Sequence, residues 1–273
     1  MLIWILILIP LWKAYASDNT KILEVYGQPT VFTNYEVIEG TWSTCQVICM
    51  NDVSCVMIYE ISESSCYLFR FGEVSLIERM YSGNKIAFKI EFSEDVCPDS
   101  NPIISSTNTS NYRITDGLLY TTTFSFDSES WNLEYSITSC PENTTVFLRD
   151  TIAVCIGLFY FPSPNLCNNQ PKASALCKEN NGTLTGPANS NEYAYIQAQS
   201  QASYNTSNPG KYKYLTYWID GVGLSGKYNY AFEDPTHNGI SNYVWAENCP
   251  LYQSAGYCLY NPNALGYYIS DIE

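Results

Sequence analysis

Gly40-Thr41-Trp42-Ser43-Thr44-Cys45-Gln46-Val47-Ile48-Cys49-Met50-Asn51-Asp52-Val53-Ser54-Cys55 is the stretch on which the fold turns. Gly40 to Thr44 supplies cap residues, and Cys45 to Met50 is the helix they predict. Cys45 and Cys49 are four apart and share a helix face, with Cβ atoms about 5–6 Å apart. A disulfide needs Cβ atoms roughly 3.5–4.5 Å apart, so the two cannot join each other. Both must reach off the helix. Cys55-Val56-Met57-Ile58-Tyr59 and Cys66-Tyr67-Leu68-Phe69 read as strands joined by a polar turn, Ser62 to Ser65. The nested solution is Cys49–Cys55 inside Cys45–Cys66, which pins helix to sheet; the outer loop contributes about 3 kcal/mol by loop entropy. A four-thiolate zinc site is the rival. Its spacing lacks the paired C-x2-C arrangement, and an oxidising compartment disfavours it.

Outward from this stretch, Ile22 to Val31 reads as an opening strand. Lys85 to Phe92 alternates, with Ile86, Phe88, Ile90 and Phe92 on one face, and predicts a half-buried strand closing the sheet. The first domain is therefore set at residues 17–97. Residues 98–137 form a linker: Pro98 to Asn111 is a Ser-, Thr- and Asn-rich spacer, and Ile114 to Ile137 is a hairpin expected to lean on the second domain.

The second domain, residues 138–273, opens with paired strands, Phe147 to Cys155 and Ile156 to Phe161, which Cys140–Cys155 can staple. Gln170-Pro171 starts a helix that stops at Asn181-Gly182. Asn189-x-x-Glu192 is a capping box for a second helix through Ile196, with Asn205 to Gly210 a loop. The central strand is Tyr214-Leu215-Thr216-Tyr217-Trp218-Ile219-Asp220-Gly221. Short strands follow around Tyr243-Val244-Trp245, Tyr257-Cys258-Leu259 and Tyr267-Tyr268-Ile269. The fold class is α+β, in two small disulfide-stapled domains.

The formal charge of −14 disfavours nucleic acid and anionic membranes, which want a basic patch. Leu2 to Leu11 is apolar but too short to span a bilayer, and Ala14-Tyr15-Ala16 is a cleavage signal; residues 1–16 read as a secretory signal peptide. No other run is long enough to anchor in a membrane, so the protein is expected to be extracellular. The 11 cysteines and the sequons at Asn108, Asn143, Asn181 and Asn205 agree. An odd cysteine count leaves a thiol that can link chains. Partners for Cys97, Cys167, Cys177, Cys249 and Cys258 stay open.

Trp42-x2-Cys45-x3-Cys49-x5-Cys55, then Cys66 and Ala87-Phe88-Lys89-Ile90, resembles the PAN-type domain (the PAN-3 or CW variety) of secreted nematode proteins. The resemblance implies a sheet cradling one helix, and binding of proteins or carbohydrates. Cys177 with Asn181-Gly182-Thr183-Leu184-Thr185-Gly186, then Trp218-Ile219-Asp220-Gly221, then Trp245, Pro250 and Cys258-Leu259, resembles a C-type lectin-like domain. Such a domain holds sugar through calcium with a Glu-Pro-Asn or Gln-Pro-Asp triplet and a Trp-Asn-Asp strand. Here those places read Cys249-Pro250-Leu251 and Tyr268-Ile269-Ser270-Asp271. Calcium wants six to eight oxygens, several of them carboxylate, so calcium-dependent sugar binding is not expected. Glu233-Asp234 reads as a solvated acidic turn. The family's last two cysteines are missing before Glu273, which reads as either a trimmed variant of the domain or an incomplete gene product.

Gly221-Val222-Gly223-Leu224-Ser225-Gly226 fits G-x-G-x-x-G, but no capped helix follows; it reads as a glycine-rich surface loop. His237, the only histidine, sits in a turn and reads as a solvated loop residue. No nucleophile elbow is present. The chain therefore reads as a non-enzymatic recognition protein with no cofactor and no metal. Glycans or glycoproteins are the expected partners, contacted by Asn242, Tyr243, Trp245 and Glu247. A scaffold for protein–protein contact is the alternative.

Overall fold

A computed structural model describes residues 20–91, 108–162, 168–207, 217–224, 228–237, 243, 245, 258–261 and 270–272. The chain divides into two compact units, Met1–Thr138 and Ser139–Glu273. The expected signal peptide, Cys97, the spacer up to residue 107, Cys167, Asn242, Glu247 and Cys249 lie outside the described residues, as do the expected strand residues 214–216 and 267–269.

The first unit runs β1 (Thr20–Phe32), β2 (Glu36–Glu39), α1 (Trp42–Asn51), β3 (Cys55–Ser62), β4 (Ser65–Arg70), β5 (Val74–Arg79), β6 (Lys85–Glu91), β7 (Asn108–Thr115), β8 (Leu118–Phe126) and β9 (Ser130–Ser139). The strands join in the order β2-β4-β3-β6-β1-β5-β9-β8-β7. β1 is long enough to serve two partners. Thr20 to Tyr26 pairs with β6, and Gly27 to Phe32 pairs with β5. The changeover falls at Gly27, where an added Cβ would lie 2.9 Å from Ile86 Cδ1 and 3.0 Å from the Glu78 carbonyl oxygen. Only glycine admits so close an approach.

Helix α1 covers one face of β4-β3-β6. The Thr41 hydroxyl accepts the Thr44 amide as its N-cap. Cys45 joins Cys66 and Cys49 joins Cys55, with Cα separations of 6.6 and 5.3 Å. These cysteines pack with Ile38, Ile58, Leu68 and Ala87. The helix's last turn is held by a side chain whose role the sequence conceals. Lys89 Nζ donates to the carbonyls of Cys49, Met50 and Asp52 at 3.2, 3.1 and 2.9 Å. Its three protons thus satisfy carbonyls that a helix end leaves open.

The opposite face builds the larger core, with Met57, Phe69, Val74, Ile77, Ile86, Phe88 and Ile90 meeting Phe124, Trp131 and Leu133. Two expectations are corrected here. β6 is not a half-buried strand that closes the sheet: it lies between β3 and β1 and is buried on both faces, by α1 and by this core. The hairpin expected to lean on the second domain belongs to the first, because β9 pairs with β5 and sets Trp131, fully buried, against Phe88. The sheet then curls back. Asn111 of β7 accepts from the Glu91 amide and donates to the Lys89 carbonyl, both at 3.2 Å. One side chain so replaces the ladder bonds of a neighbouring strand.

The second unit opens with the hairpin β10 (Thr144–Arg149) and β11 (Ile152–Gly157), bridged by Cys140–Cys155. The turn falls at Asp150-Thr151, earlier than expected, because Asp150 takes the left-handed conformation that Asp tolerates (φ 52°). Helix α2 (Gln170–Glu179) has Asn169 as N-cap and ends at left-handed Asn181. Helix α3 (Ser190–Ser207) starts with the capping box: Asn189 Oδ1 accepts the Glu192 amide at 3.0 Å. It runs on through Asn205, which the sequence placed in a loop. A four-stranded sheet follows, ordered β13-β12-β14-β15, with β12 (Tyr217–Gly223), β13 (Tyr230–Ala231), β14 (Cys258–Asn261) and β15 (Ser270–Ile272). Gly221 and Gly223 lie buried in β12 and not in a surface loop.

Candidate binding surface

Beyond the reach of Trp131, the sheet face of the first unit runs toward β2 and turns aromatic. Residues alternate across a strand, so Tyr67 and Phe69 of β4 share one face, opposite Cys66 and Leu68. Tyr59 of β3 pairs directly with Tyr67, and Val37 of β2 pairs with it from the other side. Tyr35, in the β1–β2 connection, lies over Tyr67 with ring centroids 4.0 Å apart and planes 29° apart. Phe32 meets Tyr35 edge-on at 5.7 Å. Phe32, Tyr35 and Val37 remain 41%, 39% and 51% exposed. The neighbouring Tyr35 hydroxyl pushes the Tyr67 phenol above its usual pKa.

The aromatic row has a polar group at each end. Asn34 Nδ2 donates to Glu73 Oε1 at 2.9 Å, beside Tyr35. Asn84 Nδ2 donates to the Tyr59 hydroxyl at 3.1 Å. This arrangement can take up an apolar surface and hydrogen-bond its margins. The sequence hid it because Phe32, Tyr35, Tyr59 and Tyr67 come from separate segments. Alternation in β4 was the single available signal.

The residues expected to contact ligand lie in the second unit, and the described ones are not free to do so. Tyr243 is 6% exposed; its hydroxyl donates to the Asp220 carbonyl at 3.2 Å. A Cβ at Gly186 would come within 2.0 Å of that hydroxyl, so glycine is required for Tyr243 to fit. Trp245 is half-buried and stacks on Tyr230. Asn242 and Glu247 lie outside the described residues.

Beside Tyr243 sits a buried ionic cluster. Arg149 Nε and Nη2 grip Glu192 at 3.0 and 2.8 Å, and Nη1 reaches Asp234 at 2.8 Å. Burial works against the Arg149 charge, but the two carboxylates outweigh it and hold its pKa above the ordinary value. Asp220 accepts the amides of Glu233 and Asp234, and burial raises its pKa. Glu233 bridges Ser174 and Lys178, both at 2.8 Å. Glu233-Asp234 is therefore not a solvated turn; its carboxylates are structural ties. Nor is His237 solvated. It is 9% exposed and stacked on Phe232 at 5.0 Å. Every donor of Arg149 is spent on fixing the loop, which is what a structural ion cluster does. Among the described residues, no three His, Cys, Asp or Glu side chains are grouped to hold a metal. Cys177 is a half-buried free thiol. No described helix is long and apolar enough to cross a membrane.

Residues 22–90, with α1 fixed by two nested disulfides onto β3 and β4, match one family model. They form a PAN-like domain. The PAN-like domain carries the whole aromatic row, whereas β7 to β9, which complete its core, lie beyond the matched residues. No curated protein and no solved structure matches the chain significantly.

Proposed function

We propose that this is a secreted, non-catalytic recognition protein whose PAN-like domain binds glycans or glycoproteins without calcium or any other cofactor. PAN domains take part in protein–carbohydrate and protein–protein interactions. The observation that carries the reading is the exposed row of Phe32, Tyr35 and Val37 over Tyr67. A contiguous apolar patch of this kind on a soluble domain marks an interaction site. The nested disulfides suit an oxidising, extracellular setting. Residues 20–91, which carry the aromatic row, contain no sequon; Asn108, Asn143, Asn181 and Asn205 all follow them. The second unit is proposed as a lectin-like partner module, on the residues of its resemblance.

Protein secreted from eukaryotic cells should bind a glycan array or immobilised glycoproteins equally well with and without chelator. Loss of binding on chelation would overturn the calcium-free claim. Failure to bind either surface would overturn the recognition claim itself. The half-buried thiol of Cys177 favours a second reading, a disulfide-linked protein scaffold. A dimer band that collapses on reduction would support that scaffold.

A further inference from the structure

We infer that the Tyr35–Tyr67–Tyr59 row is a saccharide subsite selective for neutral or amino-bearing pyranoses over sulfated, phosphorylated or carboxylated ones. The inference rests on the recognition reading above and narrows it to residues and a ligand class. Three features support it. The first is shape. Tyr35 stacks on Tyr67, Tyr67 lies 6.2 Å from Tyr59, and Phe32 buttresses Tyr35 edge-on. Tyr rings present a rigid apolar face with a hydroxyl at the edge, which matches a sugar ring's C–H face and its equatorial hydroxyls.

The second feature is the hydrogen-bonding margin. Asn34 and Asn84 are both exposed, and each spends a single N–H, on Glu73 and on the Tyr59 hydroxyl respectively. Each amide keeps one N–H and its carbonyl uncommitted, a donor and an acceptor side by side. Sugar hydroxyls need that pairing. An all-apolar protein partner would leave these amides desolvated and unpaired, at a cost.

The third feature is charge. Glu39 is exposed, two residues beyond Val37 on the same side of β2, and Glu73 lies at the Tyr35 end. The basic side chains nearest in sequence are both paired: Arg70 with Glu36 and Asp52, and Lys85, next to Asn84, with Glu24 at 3.8 Å. With a chain charge of −14, a sulfate or carboxylate on the ligand meets repulsion, and would have to compete with Glu24, Glu36 and Asp52 for the two nearby cations. A neutral sugar pays no such cost, and an amino sugar gains attraction.

The test uses the full-length secreted protein on an array with three arms: neutral hexose and N-acetylhexosamine oligomers, free amino-sugar oligomers, and sulfated or sialylated glycans. Binding is expected on the first two arms and not on the third. Tyr35→Ala should weaken it about tenfold, whereas Tyr35→Phe, which keeps the ring, should stay within about twofold. Asn84→Ala reads the margin independently of the rings. Unchanged melting of Tyr35→Phe and intact disulfides in each variant separate a lost subsite from a lost fold. Binding that ignores Tyr35→Ala, or that is strongest on the sulfated arm, would overturn the assignment yet leave the recognition reading standing. Binding to glycoprotein with no signal on any sugar arm would also overturn it, in favour of a protein ligand. Absence of binding to every surface would sink both.

Discussion

Lys89 looks, in sequence, like the polar member of an alternating strand. In the fold it is the donor that closes α1 onto the sheet. Burial pushes its ammonium below the usual lysine pKa, yet three carbonyls keep the charge engaged. Lys89→Met fills the same space but strips those carbonyls, and should destabilise the first unit by about 2–3 kcal/mol. Calorimetric melting of the whole protein checks this, because the unit's transition should shift while the second unit's does not. His237 makes a second residue-level test. Burial first, and then the Arg149 charge, hold its pKa below the ordinary 6.5. The native state therefore binds fewer protons than the unfolded state between that depressed value and 6.5. Its stability is complete above about pH 6.5 and falls as pH drops, by up to about 1.4 kcal/mol per pH unit for one proton. Asp220 and Glu91 act oppositely, because burial raises their pKa values and so favours the fold as acid is added. The His237 share is read as the difference between the melting profiles of the protein and of His237→Phe, which should lose less stability between pH 7 and 5. Neither role was legible. A lysine's partners and a histidine's burial are set by residues far along the chain, and the short-range pattern around each suggested solvent.

Helix α1 and the β3–β4 hairpin were legible, since cysteine spacing on a helix is a local geometric constraint with few solutions. The N-cap at Thr41 and the capping box at Asn189 were legible for the same reason. β7 to β9 were not. Their Ser-, Thr- and Asn-rich sequences resemble the spacer before them, and what makes them strands is long-range: Ile77 opposite Trp131, and Asn111 bonded to β6. The aromatic row fared likewise, assembled as it is from four segments. Trp131→Ala tests the assignment of these strands to the first unit. It should cost about 3–5 kcal/mol and lower that unit's transition alone. If the second unit's transition moved instead, the hairpin would be misassigned. The changeover in β1 carries a similar dependence, since Gly27 must let β5 and β6 approach together.

At the scale of the molecule, two units with separate cores share an acidic surface. A chain with 27 acidic and 13 basic side chains should show no retention on heparin or DNA columns at about 0.15 M salt. Retention there would expose a basic patch that the sequence does not suggest. The sequence pattern ended the first domain at 97, and the matched residues 22–90 likewise stop short of the strands that cover their core. That shortfall has a consequence for biosynthesis. A nascent polypeptide leaves the ribosome amino end first, so Phe88, Ile77 and Val74 emerge long before the tryptophan that shields them. Until translation has passed Ser139, the first unit is a half-made domain with a greasy flank. During synthesis, the interval between β6 and β9 is therefore the one in which the first unit's core is open to other chains.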